Sequence, residues 1–194
     1  MLRQRINKIF DDSVAVISDT KQISAEIERA IDLIIKCYKK GGKVVVFGNG
    51  GSAADAQHLA AELIGRFQLE RQSLPAIALT TDTSILTALG NDYSFDYIFA
   101  RQCESLVKKE DVIIAISTSG KSKNVLEAIG VAKKKGASII GLTGANGANM
   151  KKYVNVLLVI PSKSTARIQE GHRTAIHAIC EIVEENFKKS KVDF

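Results

Sequence analysis

The first forty residues carry apolar positions with the period of a helix. Ile6, Ile9, Phe10, Val14 and Ile17 recur at steps of three and four, and Ile23, Ile27, Ile31, Ile34, Ile35 and Tyr38 repeat the pattern until Gly41-Gly42 stops it. Two amphipathic helices are expected. The period then changes. Lys43–Phe47 (KVVVF) is a short β-branched run of the kind that forms a buried strand, and it ends in Gly48-Asn49-Gly50-Gly51-Ser52. A helix is predicted from about Ala53 to Gly65, a second strand over Ala76–Leu79, and helices over Ser84–Leu89 and Phe95–Val107. The third strand is Asp111–Ile116 (DVIIAI), followed by Ser117-Thr118-Ser119-Gly120 and a helix over Lys123–Lys135. Strands at Ser138–Leu142 and Val154–Ile160 and a long helix over about Ala166–Phe187 complete the pattern.

Strands alternating with helices imply βαβ crossovers. The fold class is therefore α/β: a three-layer α/β/α sandwich around a five-stranded, mostly parallel sheet, preceded by two helices. No linker or low-complexity segment divides the chain, so residues 1–194 read as one domain, with a helical pair at 1–41 and an α/β core at 42–194. Ligands of such sheets bind beyond the carboxyl ends of the strands. Two of those ends carry small polar loops, which is where a site is sought.

Charge narrows the class of partner. The formal net charge of +6 fits an anionic ligand, but simple solubility is the favoured reading of it. Many lysines sit where helices end, at Lys39-Lys40, Lys133–Lys135 and Lys188-Lys189, offsetting the helix dipole. They are not interleaved with aromatics, so no nucleic-acid partner is expected. Three widely spaced cysteines, Cys37, Cys103 and Cys180, suit small buried side chains better than a disulfide framework or a thiolate zinc site. The opening MLRQRINKIFDDS lacks a signal-peptide core and no run of 18 apolar residues exists, so no membrane association and a cytoplasmic location are expected.

Ser117-Thr118-Ser119-Gly120-Lys121-Ser122 follows a strand and opens a helix. Unpaired N–H groups at a helix start, together with four hydroxyls, make a cradle for a phosphate monoester. Capping by Ser122 alone would not use the other three. The stretch nearly matches a P-loop, but Ala115 stands where the first glycine belongs, and an NTPase is not expected. Gly48-Asn49-Gly50-Gly51-Ser52-Ala53 resembles a dinucleotide fingerprint, but the acid after the next strand, Asp82, lies too far on. Its glycines instead let backbone approach a ligand, and Asn49 and Ser52 offer hydrogen bonds to sugar hydroxyls.

His58 and Glu62 are four residues apart on one helix, a relation that suits zinc, although the spacing alone favours a surface His–Glu pair. His172 and His177 lie on the last helix near Gln169. Gln169 and His177 are separated by about 12 Å along a straight helix and about 80° around it, so one ion cannot readily take both from one chain. Either that helix starts later, or the two serve different copies of the site in an oligomer. The second is favoured because it also accounts for so apolar a helix (Ile176, Ile179, Ile182, Val183). His172 is read as a hydrogen-bonded structural histidine.

Taken together, FGNGGSAADAQHLAAELIGRF (Phe47–Phe67), LPAIALTTD (Leu74–Asp82), GNDYSF (Gly90–Phe95), AISTSGKS (Ala115–Ser122), LTG (Leu142–Gly144) and ARIQEGH with a later His (Ala166–His177) resemble the phosphoheptose isomerases, members of the SIS (sugar isomerase) superfamily. The resemblance spans nearly the whole chain. It implies conversion of sedoheptulose 7-phosphate to D-glycero-D-manno-heptose 7-phosphate, the first step toward the activated heptoses of bacterial surface polysaccharides such as lipopolysaccharide. It implies a homotetramer with shared sites, the helical pair 1–41 serving oligomerisation. Zinc, one per subunit, would be held by His58, Glu62, Gln169 and His177. Substrate contacts would come from Asn49, Gly50, Gly51, Ser52, Glu62, Asn91, Asp92, Ser117, Thr118, Ser119, Ser122 and Gln169. Glu62 would act as base, His177 as its partner acid or base, and Asp92 would assist. Two positions depart from the pattern: Lys121, where Asn is usual, and Gly171, a glycine within a helix. The runner-up is a non-enzymatic SIS-fold adaptor that binds the replication initiator and lacks the complete His/Glu/Gln/His set.

Overall fold

The computed structural model of the protein describes residues 1–188, so Lys189 of the last basic cluster lies outside them. The chain runs α1 (Leu2–Asp19), α2 (Ser24–Lys39), β1 (Val44–Gly48), α3 (Gly51–Ile64), β2 (Ala76–Ala78), α4 (Thr83–Asp92), α5 (Ala100–Leu106), β3 (Val112–Ile116), α6 (Lys123–Lys134), β4 (Ser138–Gly144), β5 (Val156–Ile160) and α7 (Thr165–Glu185). The two opening helices are joined by one 3-10 turn at Thr20–Ile23, not by a loop, so they form one nearly continuous helical run. The helix expected over Phe95–Val107 is a 3-10 turn, Phe95–Tyr97, followed by the shorter α5. A nine-residue 3-10 stretch, Ala145–Tyr153, replaces the loop expected after the fourth strand.

All four strand pairings are parallel and the order is β2-β1-β3-β4-β5. Strand residues alternate between two cores, as the period of a strand requires. Val44, Val46, Val112, Ile114 and Ile116 point to the face covered by α2, α3 and α7. Val45, Phe47, Ile113 and Ala115 point to the face covered by α5 and α6. Ile176, Ile179 and Val183 are buried inside the subunit against the first face, so three of the four apolar α7 residues need no second copy; Ile182 stays 42% exposed. Gly171 also has a packing reason, since an added Cβ would come within 2.7 Å of the Ile160 side chain on β5.

This order places β1 and β3 side by side while the chain leaves them in opposite directions across the sheet, to β2 and to β4. That is a topological switch point, where adjacent strand ends leave a crevice. Gly48 at the end of β1 is registered with Ile116 at the end of β3, so the two polar loops emerge together.

Candidate active site

The glycine loop is shorter than the sequence pattern predicts. Helix α3 starts at Gly51, leaving Asn49 and Gly50 as the connection, and Gly50 takes φ 56°, a value that favours glycine. Ser52 is therefore inside the first helical turn and 2% exposed, packed behind Gly48, not displayed to a ligand. Asn49 exchanges two side-chain hydrogen bonds of 2.9 Å with Asn124, a buried residue of α6 that sequence reasoning missed. The amide pair ties the loop after β1 to the helix after β3.

Ser122 is the N-cap residue of α6, yet its side chain makes no capping bond. Its Oγ lies 3.0 Å from Ser117 Oγ instead. The loop is held from behind, where the Thr118 carbonyl accepts from the Gly144 N–H at 3.0 Å and from the Thr143 hydroxyl at 3.4 Å. Gly120, at φ 65°, packs against Gly147. Thr118, Ser119, Lys121, Asn146, Lys163, Thr165 and Ile168 then line a cavity of about 330 Å³ that contains two cations and no carboxylate. A second, smaller cavity of about 180 Å³ lies at Gly48, Asn49 and Gly50, bounded by Phe95 and Phe99. A groove of about 630 Å³ between α4 and α5 is larger, but its lining is mostly apolar (Ile85, Ala88, Leu89, Leu106) and its one cation, Arg101, is paired with Glu104.

On the other side of the glycine loop, α3 and α7 pack together, with Asp55 bonded to Arg173, His58 to His177, and Glu184 to the backbone just beyond α3. His58 Nε2 is 2.9 Å from His177 Nε2, so one ring donates to the other, and Glu62 Oε1 is 3.4 Å from the same His58 nitrogen. The Phe67 ring covers His177 at 5.5 Å. Partial burial and the nearby Arg173 cation lower the His58 pKa, while Glu62 opposes that shift. Burial raises the Asp55 pKa, opposed by Arg173, whose Nε donates to Oδ1 at 2.9 Å.

Two nitrogens and a carboxylate converging at one point form a donor set that suits zinc. As placed, the imidazoles share a hydrogen bond, and among the described residues no three His, Cys, Asp or Glu side chains are arranged to hold a metal ion. Two nitrogens on a tetrahedral ion with bonds of about 2 Å stand about 3.3 Å apart, so a separation of about 0.4 Å beyond the present one would admit it.

The expected fourth member is elsewhere. Helix α7 runs unbroken from Thr165 to Glu185, which removes the possibility of a late start. Gln169 lies two turns before His177, its amide against Gly51: an added Cβ there would fall 2.7 Å from the Gln169 Cδ. His58, Glu62 and His177 meet within one chain, and Gln169 does not join them. Asn91 and Asp92 form the exposed last turn of α4, bonded to each other at 2.8 Å, with no bond to the imidazoles. His172 is 0% exposed and its Nε2 lies 3.2 Å from the Thr143 carbonyl, matching a structural role.

Phe67 ends a quoted motif but carried no assigned role, and Asn124, Asn146, Lys163 and Thr165, which the sequence did not flag, belong to no motif. Only strand order brings them to the crevice.

Comparison with known proteins extends the picture. Residues 9–144 match the model of the SIS domain. The chain is 52% identical over 188 residues to a phosphoheptose isomerase of Campylobacter concisus, covering 97% of this chain and 100% of that one. It is 55% identical over 171 residues to a phosphoheptose isomerase of Citrifermentans bemidjiense, covering 88% and 89%. The structure of a phosphoheptose isomerase from Neisseria gonorrhoeae superposes with a TM-score of 0.90 at 41% identity, covering 95% and 100%.

Proposed function

The chain belongs to the phosphoheptose isomerases of the SIS-domain family, and on that footing we propose that it converts sedoheptulose 7-phosphate to D-glycero-D-manno-heptose 7-phosphate through an enediol. It is an isomerase acting on a phosphorylated heptose, which sets aside the adaptor reading. The proposed setting is the cytoplasm, at the first step of activated-heptose synthesis. The observations that support the reading are a hydroxyl-lined cavity with two lysines beyond the strand ends and an imidazole–carboxylate cluster where α3 and α7 pack.

Each part has a task. The phosphate is held by Thr118, Ser119 and the first N–H groups of α6, with Lys121 and Lys163 beside them. Ser117 and Ser122, bonded to each other, keep the loop in shape. Asn49 and the backbone of Gly50 and Gly51 orient the sugar hydroxyls. Glu62 removes the C1 proton of the ketose; its Oε1 faces His58 and its other oxygen makes no hydrogen bond among the described residues. The electron pair left on carbon forms the C1–C2 double bond of the enediol, and the C2 carbonyl oxygen takes a proton from His177 Nδ1, the ring nitrogen that does not face His58. Returning the proton to C2 while the C1 hydroxyl gives up its own produces the aldose, with no net change in protons. Phe67 shields His177 from water.

Zinc is proposed as the cofactor, held by His58, Glu62 and His177, with Gln169 contributed across a subunit boundary. When bound, it supplies Lewis-acid polarisation of the sugar oxygens. A homotetramer is proposed because α1 buries no residue and leaves Leu2, Ile6, Ile9, Phe10 and Val14 exposed. The test is incubation with sedoheptulose 7-phosphate, with and without chelator, read by NMR of the product. The expected result is an aldose heptose 7-phosphate whose formation the chelator suppresses; no conversion under either condition would refute the proposal.

A further inference from the structure

Beyond the site, the most heavily built polar feature of the molecule is an ion pair in the interior. Arg71 and Glu184 have side chains 1% exposed and approach to 3.4 Å. Removing two charges from water is expensive, and an apolar pair of the same volume is often as stable or more so. Stability alone is therefore a poor reason for this pair, and its remaining bonds show what else it does.

Arg71 follows α3 in the chain and turns back to cap it. Its Nη2 donates to the Glu62 carbonyl at 2.8 Å, and its Nη1 donates to the Leu63 carbonyl at 2.9 Å, to Gly65 at 3.3 Å and to Gln72 at 3.0 Å. The last carbonyls of a helix have no partner within it, and a buried cation satisfies them and the dipole together. Glu184 lies two turns beyond His177 on α7. It accepts from the backbone N–H groups of Phe67 at 3.0 Å, Gln68 at 2.6 Å and Leu69 at 2.9 Å. A bridge between Arg71 and Lys188 closes the segment against the end of α7.

The network thus grips two points next to the chemistry: the backbone of Glu62 itself, and Phe67, whose ring rests on His177. We propose that Arg71 and Glu184 are positioning residues for the isomerisation, fixing the Glu62 carboxylate and the His177 ring relative to each other from behind. The proposal rests on the roles given above to Glu62 and His177. Neither Arg71 nor Glu184 touches the reacting atoms, and neither reaches the phosphate cavity, so they act on the rate constant for chemistry and not on substrate capture.

The experiment is steady-state kinetics of R71K and E184Q on sedoheptulose 7-phosphate, at a temperature well below each melting midpoint, with circular dichroism on the same samples. The wild-type protein is run alongside, so that absence of turnover there counts against the functional reading and not against this one. In E184Q, kcat is expected to fall at least tenfold with KM within threefold of wild type. R71K, which keeps a cation and a donor, is expected between the two. Restoring the melting midpoint with an excluded osmolyte should leave kcat low, which a purely structural role would not. Folded variants with wild-type kcat, or losses falling on KM instead, overturn the proposal. Should either variant fail to fold, F67A carries the test: it leaves the ion pair in place, the same kcat loss is expected, and wild-type kcat overturns the proposal.

Discussion

Gly51→Ala separates what the glycine loop does for folding from what it does for the reaction. Gly51 opens α3 and is not among the glycines with positive φ, so its backbone accepts alanine. Replacing a helical glycine with alanine favours the helix by up to about 1 kcal/mol. The new Cβ, however, would stand 2.7 Å from Cδ and 2.9 Å from Oε1 of Gln169. Ordinary carbon contacts are about 3.5–4 Å, so the Gln169 amide must retreat by about 1 Å. A misplacement of that size in a substrate-orienting group lowers kcat/KM by about 10²-fold. The expected outcome is a variant that melts at or above the wild-type temperature and has lost about two orders of magnitude in kcat/KM on sedoheptulose 7-phosphate. Activity within threefold of wild type would refute a functional role for Gln169 at this position, whichever copy of the site it serves.

Other perturbations test other parts of the structure. Gly171→Ala pushes a methyl against Ile160, an overpacking of about 1–3 kcal/mol set against a helical gain of about 1 kcal/mol, so denaturant titration should show a net loss of up to about 2 kcal/mol and no gain. Burial lowers the His172 pKa from 6.5 to about 4. The unfolded chain therefore takes up a proton that the folded chain refuses, and stability, complete above pH 6.5, falls by about 3 kcal/mol as the pH drops to 4. His172→Gln, which keeps a donor for the Thr143 carbonyl, should lose less between pH 7 and 4.5; equal losses would contradict the assignment. Lys121→Asn with Lys163→Gln removes both cations from the phosphate cavity and should raise KM about tenfold at low ionic strength, with the difference narrowing in about 0.5 M salt. An unchanged KM would place the phosphate elsewhere.

The sheet was legible because four of its strands are apolar runs rich in Val and Ile and the short β2, Ala76–Ala78, follows Pro75; all five fall where the pattern put them. Edges were less legible. The pattern puts the start of α3 at about Ala53, yet Gly51 is already helical while Gly50, with its positive φ, makes the turn. The helix expected to end at Leu89 continues through Asn91 and Asp92, which form the last turn of α4. The hydroxyl loop was readable from its own residues, because a strand end, a helix start and four hydroxyls are local features. The imidazole cluster was half readable: the spacing of His58 and Glu62 is local, but the pairing of His58 with His177 depends on how α3 and α7 pack. The Asn49–Asn124 pair and the second lysine of the cavity depend on strand order alone, which no single stretch of sequence encodes.

The role of Glu62 in moving a proton between adjacent carbons is most directly tested in heavy water. Wild-type protein and Glu62→Gln are incubated with sedoheptulose 7-phosphate in D₂O, and deuterium at C2 of the aldose product is followed by NMR. Wild type should place deuterium at C2 as product forms, while Glu62→Gln, with an unchanged circular dichroism spectrum, should yield neither product nor exchange of the C1 protons. Exchange by Glu62→Gln at the wild-type rate would contradict the assignment of this carboxylate as the base.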